Sequence, residues 1–147
     1  MGRTLAARQN GAGQRNLTSA MAELPPAPRL RVGIDLVQIS RIVESMQTFG
    51  ERFLRRVFTE DEIRYAQSSP ACTGERLAAR FAAKEAARKA LALEGIGWRD
   101  IEVRRLANGA CELVLHGAAR EATGKAQLAL SMSHDGDQAT AVVIIHE

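Results

Sequence analysis

Aromatic side chains make up only 4% of this 147-residue chain. Any core must therefore be built from Ala, Val, Ile and Leu. No apolar run reaches the roughly 18–20 residues that a membrane-spanning helix needs, so no membrane association is expected. Cysteine is scarce as well. Cys72 and Cys111 stand far apart and match no metal or disulfide spacing. They read as reduced thiols of a cytoplasmic protein. There is no Gly-x-x-x-x-Gly-Lys phosphate loop and no Gly-x-Gly-x-x-Gly, so kinase and dinucleotide-binding readings lack their main signals. Internal repeats are absent. So is an aromatic platform for bases, which argues against a nucleic-acid partner.

What is present is mildly basic and apolar enough to fold. The formal net charge is +3, and 46% of residues are apolar. A basic balance favours acidic partners, although solvated lysines and arginines alone also account for it. Residues 1–28 carry Gly2, Gly11, Gly13, Pro25, Pro26 and Pro28 and show no apolar periodicity. They read as a disordered tail ahead of a domain over 29–147. A transit peptide and an over-long start both fit this segment.

Leu30 to Ile39 is rich in β-branched residues and predicts a strand, with Asp35 at its middle. A carboxylate there either faces water on a half-buried strand or is paired, hydrogen-bonded or metal-bound. Ile39, Ile42, Val43, Met46 and Phe49 follow helical spacing, with Ser40 a candidate N-cap and Gly50 a break. Arg41, Arg52, Arg55 and Arg56 make this region basic. It is either a solvated face or a dock for an acidic protein. Thr59 and Glu62 form a capping box that starts a short helix to about Ala66. Strands are expected over 98–105, 110–115, 128–133 and 140–145, with turns at Asn108-Gly109 and Asp135-Gly136. A short helix is expected over 117–124. The fold class is α+β: a small, mostly antiparallel sheet packed on a central helix and shorter ones.

The central helix is Arg76 to Leu91, which holds no Gly or Pro. Ala79, Ala82, Ala83, Ala86 and Ala90 share one side, which invites close packing. Phe81, Glu85 and Lys89 make one stripe; Arg80, Lys84 and Arg88 make its neighbour. Alone, that pattern fits a solvated ion-pair ladder equally well. Asp35, Glu85 and the segment Ser131-Met132-Ser133-His134 together suggest more. Two carboxylates from separate elements suit one hard cation such as Mg²⁺, with water and phosphate completing its shell. Lys84, Lys89, Arg80 and His134 would bring positive charge to phosphate oxygens. The implied chemistry is attack on a phosphoanhydride.

At these residues the chain resembles the holo-[acyl-carrier-protein] synthase family, the small 4′-phosphopantetheinyl transferases. Val32-Gly33-Ile34-Asp35-Leu36-Val37 with Arg41 is similar to the opening motif. Phe58-Thr59-Glu60-Asp61-Glu62 is similar to the middle one. Arg80-Phe81-Ala82-Ala83-Lys84-Glu85-Ala86 is similar to the most specific signature. Ser131-Met132-Ser133-His134-Asp135 is similar to the closing motif. The likeness runs over about residues 30–145. Ala110 departs from it, since relatives often carry proline there.

The resemblance implies transfer of 4′-phosphopantetheine from coenzyme A to a serine of apo acyl carrier protein. Adenosine 3′,5′-bisphosphate leaves, and the reaction serves fatty-acid biosynthesis. It implies Mg²⁺ at Asp35 and Glu85, with Glu85, directly or through a metal-bound water, the candidate base for the carrier serine. It implies that Lys84 and Lys89 offset charge on the diphosphate and leaving group. Arg80 and His134 would hold coenzyme phosphates, with Ser133 an extra contact. Arg41, Arg52, Arg55 and Arg56 would face the acidic carrier. Single-unit members are homotrimers with sites at subunit interfaces, which is the assembly expected here.

Overall fold

The computed structural model describes residues 29–147. The expected tail over 1–28 lies outside these residues. Strand β1 spans Leu30–Gln38 and runs straight into helix α1, Ile39–Phe49. Gly50 then turns the chain at φ 55° into α2, Glu51–Val57. A side chain at that φ would be strained, so glycine fits the break. Helix α3, Glu60–Gln67, starts on the expected capping box, with both reciprocal hydrogen bonds in place. After a 3-10 turn at Pro70–Cys72 comes α4, Thr73–Leu91, which begins three residues earlier than the sequence suggests.

A second 3-10 turn, Trp98–Asp100, shortens the next strand to β2, Ile101–Arg105. It pairs antiparallel with β3, Cys111–Leu115, across the Asn108-Gly109 turn. Helix α5, Gly117–Thr123, precedes β4, Gln127–Asp135, and β5, Gln138–His146. The expected single sheet is in fact two, each antiparallel: β1-β5-β4 and β2-β3.

The three-stranded sheet lies against α4. Their approach is very close at Gly33, where an added Cβ would stand 1.9 Å from the Ala86 carbonyl oxygen. The core there is Ala82, Ala83, Ala86 and Ala90 against Ala141, Val143 and Ile145. Short alanine side chains let the helix axis sink onto the sheet, as the alanine side predicts.

One expectation is corrected. Ser40 is not the cap of α1. The helix starts at Ile39, and the cap comes from Asp137 in the β4–β5 turn. Its Oδ1 accepts from the Ser40 amide at 2.8 Å, and its Oδ2 from the Ser40 hydroxyl at 2.6 Å. An acceptor 97 residues away leaves no local signal.

Candidate active site

Alternation in β1 decides where Asp35 points. Leu30, Val32, Ile34 and Leu36 occupy one face and are 61–67% exposed. Arg31, Gly33, Asp35 and Val37 occupy the covered face, toward α4. The usual rule of apolar side in is reversed, and the water-facing reading of Asp35 falls. Its side chain is 17% exposed, and its Oδ1 accepts from Lys89 Nζ at 2.9 Å. The same ammonium donates to the Ile34 carbonyl at 2.8 Å.

Glu85 reaches the same place from α4. It stands one turn before Lys89, and its nearest cation is Arg88 at 3.9 Å. Asp35 and Glu85 line one cavity of about 480 Å³, together with Arg41, Ser45, Phe53 and Phe81. Phe53 also lines a neighbouring cavity of about 350 Å³ with Phe49, Arg52 and Arg56. The acid pair therefore adjoins a basic and aromatic surface. Arg55 stands apart from both cavities, in an exposed pair with Glu51 at 3.0 Å.

The other predicted residues sit elsewhere. Arg80, Ser133 and His134 line a cavity of about 570 Å³ with Tyr65, Arg76 and Arg105. At 3.6 residues per turn, Arg80 and Glu85 project about 140° apart, so one helix serves two sites. Arg80 is buried, and its Nε has no partner among the described residues. Burial lowers the guanidinium below its ordinary range, though it remains a cation. The rings and forks are stacked: the Arg76 and Arg80 guanidinium carbons lie 4.4 and 4.3 Å from the Tyr65 ring centre. Tyr65, Arg76 and Arg105 escape the sequence reading. The Arg76–Arg80 spacing of four was the available signal; Tyr65 and Arg105 come from other elements and had none.

Lys84 needs correction. Expected at the phosphates, it is 0% exposed. Its Nζ pairs with Glu62 Oε2 at 2.8 Å and donates to the Trp98 and Ile101 carbonyls. Burial lowers its pKa, and Glu62 works against that shift. A side chain enclosed this way does not touch a ligand in the Asp35–Glu85 cavity. Lys89, by contrast, is half-exposed and bonded to Asp35.

Would a metal fit? Among the described residues no group of three or more His, Cys, Asp or Glu side chains gathers to hold one. Soft or protein-saturated sites are thereby disfavoured. Two hard carboxylates beside an open cavity suit Mg²⁺, which usually takes one or two protein carboxylates and keeps water and phosphate ligands. No helix among the described residues is long and apolar enough to cross a membrane.

The scaffold brings two acids, Asp35 and Glu85, to one cavity that adjoins a cationic surface. Residues 31–143 match the family described as ACPS: 4′-phosphopantetheinyl transferase superfamily, and the chain belongs to it. The holo-[acyl-carrier-protein] synthase of Koribacter versatilis is 46% identical over 124 residues, 80% of this chain and 98% of that protein. The enzyme of the same name from Gloeobacter violaceus is 44% identical, covering 78% and 91%. Among solved structures, the Chronobacterium ammoniagenes ACPS–coenzyme A complex superposes with a TM-score of 0.70. It is 37% identical over 80% of this chain and 96% of that one. The Helicobacter pylori holo-[acyl-carrier-protein] synthase in complex with coenzyme A gives 0.68 at 30% identity, covering 78% and 98%.

Proposed function

We propose that this chain moves the 4′-phosphopantetheine arm of coenzyme A onto a serine of apo acyl carrier protein, in support of fatty-acid biosynthesis. The observation that carries the reading is the convergence of Asp35 and Glu85 on one cavity beside the Arg41–Arg52–Arg56 surface. Asp35 and Glu85 would hold Mg²⁺. When bound, that ion supplies charge neutralisation at the diphosphate. Glu85 accepts the serine proton. In a loose transition state that proton leaves late, so a weak base in the right place suffices. Lys89 offsets diphosphate charge from beside Asp35. Arg80 and His134 hold coenzyme phosphates, with Ser133 beside them. Arg41, Arg52 and Arg56 face the acidic carrier, and arginine forks suit its carboxylates. Arg55 contributes less, because Glu51 already engages it.

The active form is a homotrimer. In one chain the acid pair and the Arg80–His134 set open into different cavities. A ligand that needs both is served by two subunits. The uncovered face of β1 supports this, since four large apolar side chains in a row mark an association surface. Ile144 of β5 extends the patch. The free thiols Cys72 and Cys111 fit a reducing, cytoplasmic setting.

The test is the mass of an acyl carrier protein after incubation with this chain, coenzyme A and Mg²⁺. The expected result is a gain of one phosphopantetheine, lost on chelation. An unchanged mass with a competent carrier rejects the reading.

A further inference from the structure

Helix α4 poses a mechanical problem. Between Leu77 and Leu91, which are buried near its two ends, its covered apolar side is alanine: Ala78, Ala79, Ala82, Ala83, Ala86, Ala87 and Ala90. Uniform small side chains interdigitate poorly and specify one arrangement weakly. Over that middle stretch the helix packs closely yet has few large apolar knobs to stop it turning about its axis. A small turn would swing Glu85 away from Asp35.

The opposite side of α4 holds a buried ionic network. Lys84 uses all three ammonium donors, on Glu62 of α3 and on the Trp98 and Ile101 carbonyls that lead into β2. Glu62 is equally engaged. Its Oε1 accepts from the Val103 amide at 2.8 Å, and its Oε2 from the Thr59 amide at 2.8 Å. Glu62 is 1% exposed and Lys84 0%. Two separate segments, α3 and the stretch over 98–101, thus meet at one side chain of α4. Rotation would break several bonds to buried charges, with no water at hand to replace them. A fully satisfied polar network of this kind rigidifies its surroundings. Stability alone does not account for it, because a well-packed apolar replacement of a buried ion pair is often as stable or more so.

We propose that Glu62 and Lys84 are positioning residues, which lock the rotation of α4 and so keep Glu85 turned toward Asp35. The inference rests on the reading of Asp35 and Glu85 as the paired acids of the site. Lys84 is the immediate neighbour of Glu85, about 100° around the helix. One residue faces the lock and the next faces the cavity. Phe81 stacked on Trp98, with ring centres 5.1 Å apart, reinforces the same anchorage.

The test compares the full-length chain with Glu62→Gln, which removes the counter-charge at constant shape. Crystal structures of both give a readout that needs neither metal nor turnover. We expect Glu85 displaced from the Asp35 cavity in the variant. Calorimetric titration with Mn²⁺ alone gives the second readout, an affinity about tenfold or more weaker, as for other residues that orient metal ligands. A variant with a lower melting temperature, Glu85 unmoved and Mn²⁺ affinity unchanged would overturn the proposal. If the wild-type chain itself fails to bind Mn²⁺, the metal reading falls, and the crystallographic position of Glu85 decides this one. If Glu62→Gln does not fold, the double variant Glu62→Gln/Lys84→Met removes both charges together and carries the same readouts.

Discussion

Glu62, Lys84 and Glu85 show how little residue type alone says about role. Lys84 and Glu85 are consecutive, charged and part of one signature. One is enclosed and the other lines an open cavity. Their substitutions should therefore separate cleanly. Asp35→Ala and Glu85→Ala should abolish transfer in the mass assay while the melting temperature stays within a few degrees. Lys84→Ala should weaken transfer, because Glu85 loses its orientation, and lower stability as well. It leaves the Glu62 carboxylate buried without its counter-charge, which costs on the order of 3–5 kcal/mol. Urea denaturation measures that loss directly. Equal stability of the Lys84 and Glu85 variants would contradict the burial described for them.

Elements set the distance between the two acids. Asp35 belongs to β1 and Glu85 to α4, and Gly33 is where these elements touch. A methyl there meets backbone at 1.9 Å, with the Ala90 amide at 2.9 Å, so the strand and helix must separate. Gly33→Ala should cost about 1–3 kcal/mol, the usual range for overpacking. It should also weaken activity by more than the folded fraction explains, because the acids move apart. Enzyme assays below the melting transition check this. At the α1–α2 junction, Arg52→Glu or Arg56→Glu should raise the KM for the carrier severalfold and leave that for coenzyme A unchanged. High salt should shrink the difference, since exposed charges are screened. Arg55→Glu should do less.

Element types were largely legible in the sequence. The capping box at Thr59, the Asn108-Gly109 turn and the alanine side of α4 are local signals, and each element formed where its signal lay. The misses had two kinds of cause, one distant and one local. The α1 cap comes from Asp137, and β2 starts late because Trp98–Asp100 winds into a 3-10 turn.

For the whole molecule, the reversed polarity of β1 is the informative feature. A monomer gains nothing from placing Leu30, Val32, Ile34 and Leu36 in water. Ile34→Asp should therefore yield monomers in sedimentation and lose transfer activity. Mixing provides a sharper check. Co-expressed Arg80→Ala and Glu85→Ala chains, each inactive alone, should recover activity. In a closed ring with one site per interface, random assembly leaves about a quarter of interfaces with both residues intact. No recovery from mixed assemblies would place each site within one subunit.

By itself, the amino-acid order determined the elements: strand, capping box and alanine helix. These follow from backbone propensity and periodicity, which act over a few residues. Only the tertiary structure decided which charged residues are usable. It turned Asp35 inward, sealed Lys84 against Glu62, and sent Arg80 and Glu85 from one helix into different cavities. Burial depends on what packs against a side chain, and the partners of Asp35 and Lys84 come from other elements of the chain.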